Sequence, residues 1–208
     1  MIGLIDYGMG NLHSVAKALE KVGGKVELVK NADDIANYER IVLPGVGAFR
    51  DCMHTLKETG MADAIKETVG KGVPFLGICL GMQVLMTRSY EFGVHAGLNL
   101  IEGEVKAFPE DHVARGFKIP HMGWNDMVLP DGKKHRVLGG VKGDQVYYVH
   151  SYYCAPRNPE HLLAACSYGD FPFASVIGRD NVLGMQFHPE KSQHAGLSLL
   201  EGFINWKP

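Results

Sequence analysis

Apolar and polar residues alternate along the first half of the chain in the order expected of buried strands followed by amphipathic helices. Short apolar runs at Met1–Asp6, Val26–Val29, Ile41–Leu43 and Val73–Ile78 predict strands that are buried on both faces. Such runs, separated by helices, favour a parallel sheet with helices on both of its sides.

The segments between these runs carry apolar residues at three- and four-residue spacing, which predicts helices. After the first strand, Asn11 is a candidate N-cap, and Gly23-Gly24 would end the helix that follows. Further helices are predicted at Phe49–Gly60, Met61–Val69 and Leu80–Thr87.

The second half of the chain is richer in strands. They are predicted at Glu104–Phe108, Gln145–Cys154, Leu162–Tyr168, Ala174–Ile177 and Val182–Phe187, with one late helix at Ala195–Trp206. We expect these strands to continue the same sheet as a mixed or antiparallel section. No linker, repeat or low-complexity segment divides the chain, so we predict one α/β domain over residues 1–208, with a mixed, mostly parallel central sheet flanked by helices.

Composition narrows the class of protein further. The 208 residues carry 21 Lys and Arg against 23 Asp and Glu, which argues against a broadly basic nucleic-acid surface. No run approaches the roughly 18 apolar residues of a membrane span, and MIGLID at the start lacks the basic region of a signal peptide. We therefore expect a cytoplasmic protein that contacts neither nucleic acid nor membrane.

The cysteines and histidines do not form a metal motif. The four cysteines are too widely spaced for a paired zinc site or a disulfide framework, and the histidines outside the motifs discussed below lack HxxxH or HExxH spacing. Reduced thiols and no metal or other cofactor are expected.

The most informative stretch places a cysteine between a buried strand and a helix. Gly77-Ile78-Cys79-Leu80-Gly81 has the G-x-nucleophile-x-G pattern of a nucleophile elbow, with cysteine in place of serine. The backbone N–H groups that open the helix, that of Leu80 in particular, are placed to bind an oxyanion. The alternative is that Cys79 is a small buried apolar residue without chemistry.

A thiol nucleophile needs a base and a group that orients the base. In His188-Pro189-Glu190 the proline favours extended backbone, in which residues two apart project to the same side. A carboxylate beside an imidazole sets its tautomer and stabilises its charged form. Taken by itself, this segment could instead be a polar surface turn.

Two segments resemble the signatures of a known family. GICLGMQ at 77–83 and MQFHPEKS at 185–192 are similar to the motifs of the triad-type, class I glutamine amidotransferases. The resemblance implies that Cys79 attacks the carboxamide of glutamine, that His188 acts as base and then as acid, and that Glu190 orients His188. Ammonia leaves, and water hydrolyses the glutamyl thioester.

The resemblance also implies a set of substrate-binding positions. The loop Pro44-Gly45-Val46-Gly47 would supply a second oxyanion donor from the N–H of Val46, with Gly45 and Gly47 allowing close backbone approach. A phosphate loop is the rival interpretation, but the Gly-Lys-Ser/Thr sequence is missing. The other implied glutamine-binding residues are Gln83, Glu91, His150, Ser151 and Tyr152. Exposed surface is the alternative for Glu91 and Ser151.

The acceptor of the ammonia would have to lie on another polypeptide, because the glutaminase motifs take up most of the chain. DYGMGN at 6–11 and PHMGWN at 120–125 resemble motifs of one branch of the family, which acts in histidine biosynthesis in a heterodimer with a cyclase subunit that has a (β/α)8 barrel. Asn11 and Trp124 are the candidate interface residues. Trp124 could instead be a core residue.

Other interpretations stay open at this point. DYGMGN lacks the third glycine of a dinucleotide-binding fingerprint, so a turn is favoured there. The chain could serve another ammonia-using synthase, such as anthranilate synthase, or it could be a non-catalytic binding subunit with the same fold.

Overall fold

The computed structural model of the protein describes residues 1–130, 132, 134–141 and 144–208. The strands in these ranges are β1 Ile2–Ile5, β2 Val26–Val29, β3 Arg40–Gly45, β4 Phe75–Cys79, β5 Arg88–Ser89, β6 His95–Ala96, β7 Gly103–Ala107, β8 His121–Asp126, β9 Gln145–His150, β10 Tyr152–Pro156, β11 Leu162–Tyr168, β12 Phe171–Arg179 and β13 Val182–Met185. The α-helices are α1 Leu12–Lys21, α2 Phe49–Glu58, α3 Met61–Gly70, α4 Leu80–Gln83, α5 Asp111–Ala114 and α6 Gln193–Asn205.

Seven strands form the central sheet, in the order β11-β12-β13-β4-β3-β1-β2. The five strands from β13 to β2 run parallel, while β12 and β11 add an antiparallel section at one edge. The predicted mixed, mostly parallel sheet is therefore confirmed. β4, which ends at Cys79, lies at its centre between β3 and β13.

Both faces of this sheet are covered, as the continuous apolar runs predict. Leu76 of β4 packs in one buried cluster with Leu19 of α1 and Leu199 of α6. Its neighbour Phe75 belongs to a second cluster, which contains Leu56 of α2 and Ile65 of α3. Adjacent strand residues point to opposite faces, so a strand inside two apolar layers has no polar side.

The Asn11 cap is also confirmed, because its side chain accepts a hydrogen bond from the N–H of Ser14 at the start of α1.

The second half of the chain departs from the prediction. β11, β12 and β13 do join the central sheet, but β7 and β10 belong to a second sheet of order β10-β7-β5-β6, and β8 and β9 form a separate ribbon. The predicted single strand over 145–154 is broken at Ser151, because β9 pairs with β8 while β10 pairs with β7. Two different pairing partners require a change of direction that alternation of apolar residues does not encode.

The helix predicted at Leu80–Thr87 is also wrong in length, since α4 ends at Gln83. The carbonyls of Val84, Leu85 and Met86 accept hydrogen bonds from backbone N–H groups of residues 98–101 instead of continuing the helix. A distant segment of the chain thus ends the helix, and no local signal marks that end.

We predict that Gly81→Ala destabilises the protein by about 1–3 kcal/mol, because steric overlap in a packed region forces the backbone to shift. A Cβ at position 81 would lie 1.9 Å from the carbonyl oxygen of Leu43 on β3. The free energy of unfolding, measured by urea denaturation, tests this. Gly70→Ala at the end of α3 is the control, because its added Cβ meets no atom within 4 Å. Equal stability of the two variants would contradict the predicted close contact of α4 with β3.

Candidate active site

Cys79 occupies a sharp turn at the carboxyl end of the central strand. Its backbone has φ 54° and ψ −109°, a conformation that L-residues rarely adopt. A strained residue of this kind costs on the order of 1–3 kcal/mol and persists only where the surrounding packing imposes it. Cys79 pairs in register with Gly45 of β3, and its side chain is largely buried. The elbow predicted from the two flanking glycines is thus the observed backbone geometry.

His188 lies beside this turn because β13 is the parallel neighbour of β4. Met185 pairs with Ile78, so the chain that continues from each strand emerges at the same edge of the sheet. The Nδ1 atom of His188 lies 2.8 Å from Oε1 of Glu190, and both side chains are almost fully buried. Glu190 reaches this position from a 3-10 turn, Pro189–Lys191, rather than from the fully extended backbone expected from the sequence.

A buried hydroxyl that the sequence analysis did not single out holds this segment. Oγ of Ser192 donates to the carbonyl of His188 at 2.7 Å and accepts from the N–H of Tyr147 at 2.9 Å. The N–H of His188 also donates to the carbonyl of Tyr147 at 2.9 Å. The histidine is therefore anchored to β9 through its backbone. Ser192 ends the MQFHPEKS motif, so its place in that motif was the available signal.

The surroundings of His188 favour the charged imidazolium. Burial alone would lower its pKa, but the Cys79 side chain and the Glu190 carboxylate outweigh burial and raise the pKa to about 9. The other ring nitrogen, Nε2, is buried and makes no hydrogen bond with the described residues. Cys79 lines the same cleft as His188, but Sγ and Nε2 are not joined by a hydrogen bond. Nucleophile–base pairs are often looser before substrate binds.

A cleft of about 350 Å³ opens over these side chains. Its lining contains most of the residues predicted to bind or act on glutamine, namely Val46, Gly47, Cys79, Leu80, Gln83, Glu91, His150, Ser151, Tyr152 and His188. Gly45 lies behind the lining, where an added Cβ would meet Tyr7 and Leu80, and Glu190 lies behind His188. Pro120 and Val149 also line the cleft and were not predicted. The carbonyl of Val149 lies 3.9 Å from Sγ of Cys79.

Several polar side chains of the cleft are already held in place. Nε2 of Gln83 donates to the carbonyl of Tyr152 at 3.1 Å and to Oε1 of Gln186 at 3.2 Å. Gln186 is fully buried, contacts Sγ of Cys79 at 3.9 Å, and was missed as a site residue although it stands in the second motif. Oε2 of Glu91 accepts the N–H of Phe49 at 2.6 Å, which fixes this carboxylate at the start of α2.

The two candidate interface residues lie outside the cleft. Asn11 is exposed and caps α1. Trp124 is 44% exposed on β8, so the interpretation of Trp124 as a core residue is wrong. Its ring packs edge-on against Tyr147, at 6.0 Å between centroids, on the same ribbon that anchors His188.

The chain belongs to the class-I glutamine amidotransferases, whose family model matches residues 3–206. It is 48% identical to "Imidazole glycerol phosphate synthase subunit HisH" of Wolinella succinogenes over 98% of each chain. The protein of that name from Geobacillus thermodenitrificans is also 48% identical, over 98% of this chain and 95% of its own.

Solved structures agree on the fold. A glutamine amidotransferase crystal structure superposes with a TM-score of 0.72 at 18% identity, covering 97% of this chain and 98% of its own. The structure of PurLQS from Thermotoga maritima superposes with a TM-score of 0.75 at 17% identity, covering 98% of this chain and 97% of its own. The expected class I amidotransferase fold is confirmed. Among the residues that the structure describes, no helix is long and apolar enough to span a bilayer.

We predict that Glu190→Gln lowers the pKa of His188, because the amide removes the negative charge that favours the imidazolium. Histidine NMR titration measures this shift. In the unmodified protein the raised pKa stabilises the fold fully below the ordinary value of 6.5, and this stabilisation is lost as the pH rises through about 9.

The free energy of unfolding between those pH values should therefore fall less in Glu190→Gln than in the unmodified protein. Glu201→Gln, on the exposed side of α6, is the matched control and should leave both the pKa and the pH dependence unchanged. An unaltered His188 titration in Glu190→Gln would contradict the predicted pairing.

Proposed function

We propose that this chain is the glutaminase subunit of an imidazole glycerol phosphate synthase. It hydrolyses glutamine to glutamate and ammonia, and a cyclase subunit uses the ammonia to make imidazole glycerol phosphate and AICAR from phosphoribulosyl-formimino-AICAR-phosphate in histidine biosynthesis. The observation that carries the proposal is that Cys79 and His188 line one cleft, with Glu190 bonded to His188 behind it. The full-length similarity to subunits of that synthase supports the choice of acceptor.

Nucleophilic attack begins with the proton of Cys79 already on Nε2 of His188, because the raised pKa of His188 favours the imidazolium. The sulfur then forms a bond to the carboxamide carbon of glutamine, and the carbonyl π electrons move to oxygen. The imidazolium is stabilised by Glu190, which lies at hydrogen-bond distance on the opposite side of the ring. His188 next protonates the leaving nitrogen, the C–N bond breaks, and ammonia departs from a glutamyl thioester.

Hydrolysis of the thioester reuses the same base. His188 takes a proton from water, the hydroxide oxygen adds to the thioester carbon, and the C–S bond breaks, which releases glutamate and leaves the Cys79 sulfur beside His188 with that proton on Nε2. In both steps the backbone N–H groups of Val46 and Leu80 bind the developing oxyanion. One such donor contributes on the order of 100-fold or more to the rate.

Recognition of glutamine falls to the polar groups that surround Cys79. Gln83 and Glu91 hold the amide and α-amino groups, and the turn His150-Ser151-Tyr152 binds the α-carboxylate and amino end through its backbone. Gly45 and Gly47 keep the loop close to the nucleophile. The break between β9 and β10 supports this role, because Ser151 stands at the break and lines the cleft.

The partner is a cyclase subunit with a (β/α)8 barrel, bound in a heterodimer in the cytoplasm. The chain acts as one amidotransferase domain over residues 1–208, without a metal or other cofactor. Asn11 and Trp124 contact the partner. The partial exposure of Trp124 supports this assignment, since aromatic residues are frequent anchors of interfaces.

Cys79→Ser tests the nucleophile. We expect glutamine-dependent turnover by the complex to fall by about 10³-fold or more, because the hydroxyl is a far weaker nucleophile in this site. Turnover with added ammonium salt should persist, since the cyclase would still receive ammonia. Cys52→Ser, at a buried cysteine that does not line the cleft, is the control and should retain glutamine-dependent turnover. Loss of the ammonium reaction as well would indicate a broken complex instead.

Trp124→Ala tests the interface. We expect the Kd for the cyclase subunit, measured by calorimetry, to rise about tenfold or more, as for a central aromatic contact. The melting temperature of the isolated chain should stay nearly unchanged, because Trp124 belongs to neither buried apolar cluster. Leu28→Ala, which truncates a half-exposed apolar residue on the edge strand β2, is the control and should bind normally. An unchanged Kd for Trp124→Ala would exclude this surface.

Glutamate release tests the assignment as a whole. The chain is assayed alone, then with the cyclase subunit, then with that subunit and its ribulosyl substrate. A large rise in the full mixture would support both the chemistry and the partner. If the rate of hydrolysis does not change when the cyclase subunit and its substrate are added, the chain serves another synthase. If glutamine is not hydrolysed with any partner, the chain is a non-catalytic binding subunit.

A further inference from the structure

Two buried histidines form a direct pair that runs from the cleft into the core, and one of them, His121, has no part in the proposed chemistry. Nδ1 of His121, on β8, lies 3.0 Å from Nε2 of His150, at the end of β9. His121 is 3% exposed and does not line the cleft, whereas His150 lines it and is 5% exposed. A buried imidazole pair costs free energy unless its nitrogens are satisfied, so the partners at both ends of the pair are informative.

Backbone carbonyls at each end set the direction of every proton in this chain of hydrogen bonds. Nδ1 of His150 lies 2.8 Å from the carbonyl of Tyr152, which only accepts, so Nδ1 must carry a proton. At the other end, the amide of Asn125 donates to the carbonyl of Ser167 at 2.9 Å and meets Nε2 of His121 at 3.3 Å. Its oxygen accepts the N–H of Asp126, so the amide orientation is fixed too.

Only one placement of the proton then fits the contact between Nδ1 of His121 and Nε2 of His150. Nε2 of His121 accepts from Asn125, hence Nδ1 of His121 carries the proton and donates to Nε2 of His150. Protonation of either ring would place two donors face to face in this arrangement. Both histidines are therefore neutral and carry their proton on Nδ1. Burial acts in the same direction, lowering the pKa of His121 to about 4 and that of His150 to about 3.

Aromatic rings on several sides hold the pair in place. His121 stacks on Tyr168 at 4.2 Å and on Tyr148 at 5.0 Å between ring centroids. His150 packs against Phe173 at 4.9 Å and Phe108 at 5.3 Å. These contacts restrict ring rotation, so the tautomers are set by a rigid environment rather than by water.

This series of hydrogen bonds ends at Gln83, one of the proposed glutamine-binding side chains. The carbonyl of Tyr152 accepts from His150 and also from Nε2 of Gln83, which uses its second hydrogen on Gln186. With both amide hydrogens occupied, Gln83 presents its oxygen Oε1 as the free group. An oxygen accepts hydrogen bonds from the ammonium or amide hydrogens of a ligand, while a flipped amide would present donors and repel them.

We propose that His121 and His150 are positioning residues, which hold the Tyr152 carbonyl and thereby fix the Gln83 amide with its oxygen toward glutamine. The inference rests on the proposed glutaminase function. It adds to that function a residue remote from the substrate, His121, that determines how tightly glutamine is bound without touching it.

His121→Phe tests this role, because phenylalanine keeps an aromatic ring but cannot donate to His150. In the full complex, we expect the KM for glutamine to rise about 3- to 10-fold with kcat changed less than about twofold, the pattern of lost substrate binding. Histidine ¹⁵N NMR should show His150 protonated at Nδ1 in the unmodified chain and a mixture of tautomers in His121→Phe. His121→Asn, which retains an N–H at the position of Nδ1, should restore most of the affinity.

His112→Phe is the matched control. His112 is fully buried in the same aromatic cluster and bonds one backbone carbonyl, that of Tyr168, at 3.1 Å, but it makes no contact with His150. In the His112→Phe variant, the KM for glutamine and the tautomer of His150 should both be unchanged. A KM increase equal to that of His121→Phe, an unchanged KM in His121→Phe, or a His150 that is protonated on Nε2 in the unmodified chain would overturn the proposal.

The failure of the proposed function has a different signature. If the unmodified chain releases no glutamate with any partner, the glutaminase assignment is wrong. If it releases glutamate and only the His121→Phe effect is missing, the assignment stands and the positioning role alone is overturned.

Discussion

The contact between the turn after β4 and the neighbouring strand β3 is the constraint on which the site depends. Position 81 lies so close to the carbonyl of Leu43 that an added Cβ would overlap it, and a Cβ at position 77 would overlap the backbone of Gly81 in the same way. This tight packing imposes the unusual backbone angles of Cys79. The thiol is thus held at the sheet edge by glycines that have no chemistry of their own.

Parallel strand order brings the other reacting groups to the thiol. β3 and β13 flank β4, so the Val46 loop and His188 emerge at the same edge as Cys79. Ligands of open α/β sheets bind at the carboxyl ends of strands for this reason. The buried Glu190 then adds the charge that raises the pKa of His188 to about 9. The strand order brings Cys79 and His188 together, and the Glu190 carboxylate stabilises the positive charge of His188.

Hydrogen bonds behind the cleft give the site its second layer. Ser192 ties the His188 backbone to β9, and the Tyr152 carbonyl receives both His150 and Gln83. These groups come from segments that are far apart in sequence. Since buried polar groups are costly unless paired, such a network admits few arrangements, and this restricts the orientation of each side chain at the cleft.

Local pattern was sufficient for the parallel strands β1 to β4, for the helices α1 to α3 and for the motifs. Apolar runs predicted the buried parallel strands, and Gly77 and Gly81 predicted the elbow, because each feature depends on residues close together in the chain. The contact of His188 with Glu190 was also predicted, but a 3-10 turn forms it and not the extended backbone that was expected. The two motifs also indicated the class-I glutamine amidotransferase family, to which the chain belongs over residues 3–206.

Only the tertiary structure decided what depends on distant partners. The end of α4 at Gln83, the break at Ser151 and the separate ribbon of β8 and β9 follow from hydrogen bonds to remote segments. The same holds for Ser192, Gln186 and the pair of His121 and His150. The roles of their polar atoms follow from hydrogen bonds to other parts of the fold. Sequence periodicity reports which side of an element is buried, but it carries no information on which remote group satisfies a buried nitrogen or oxygen.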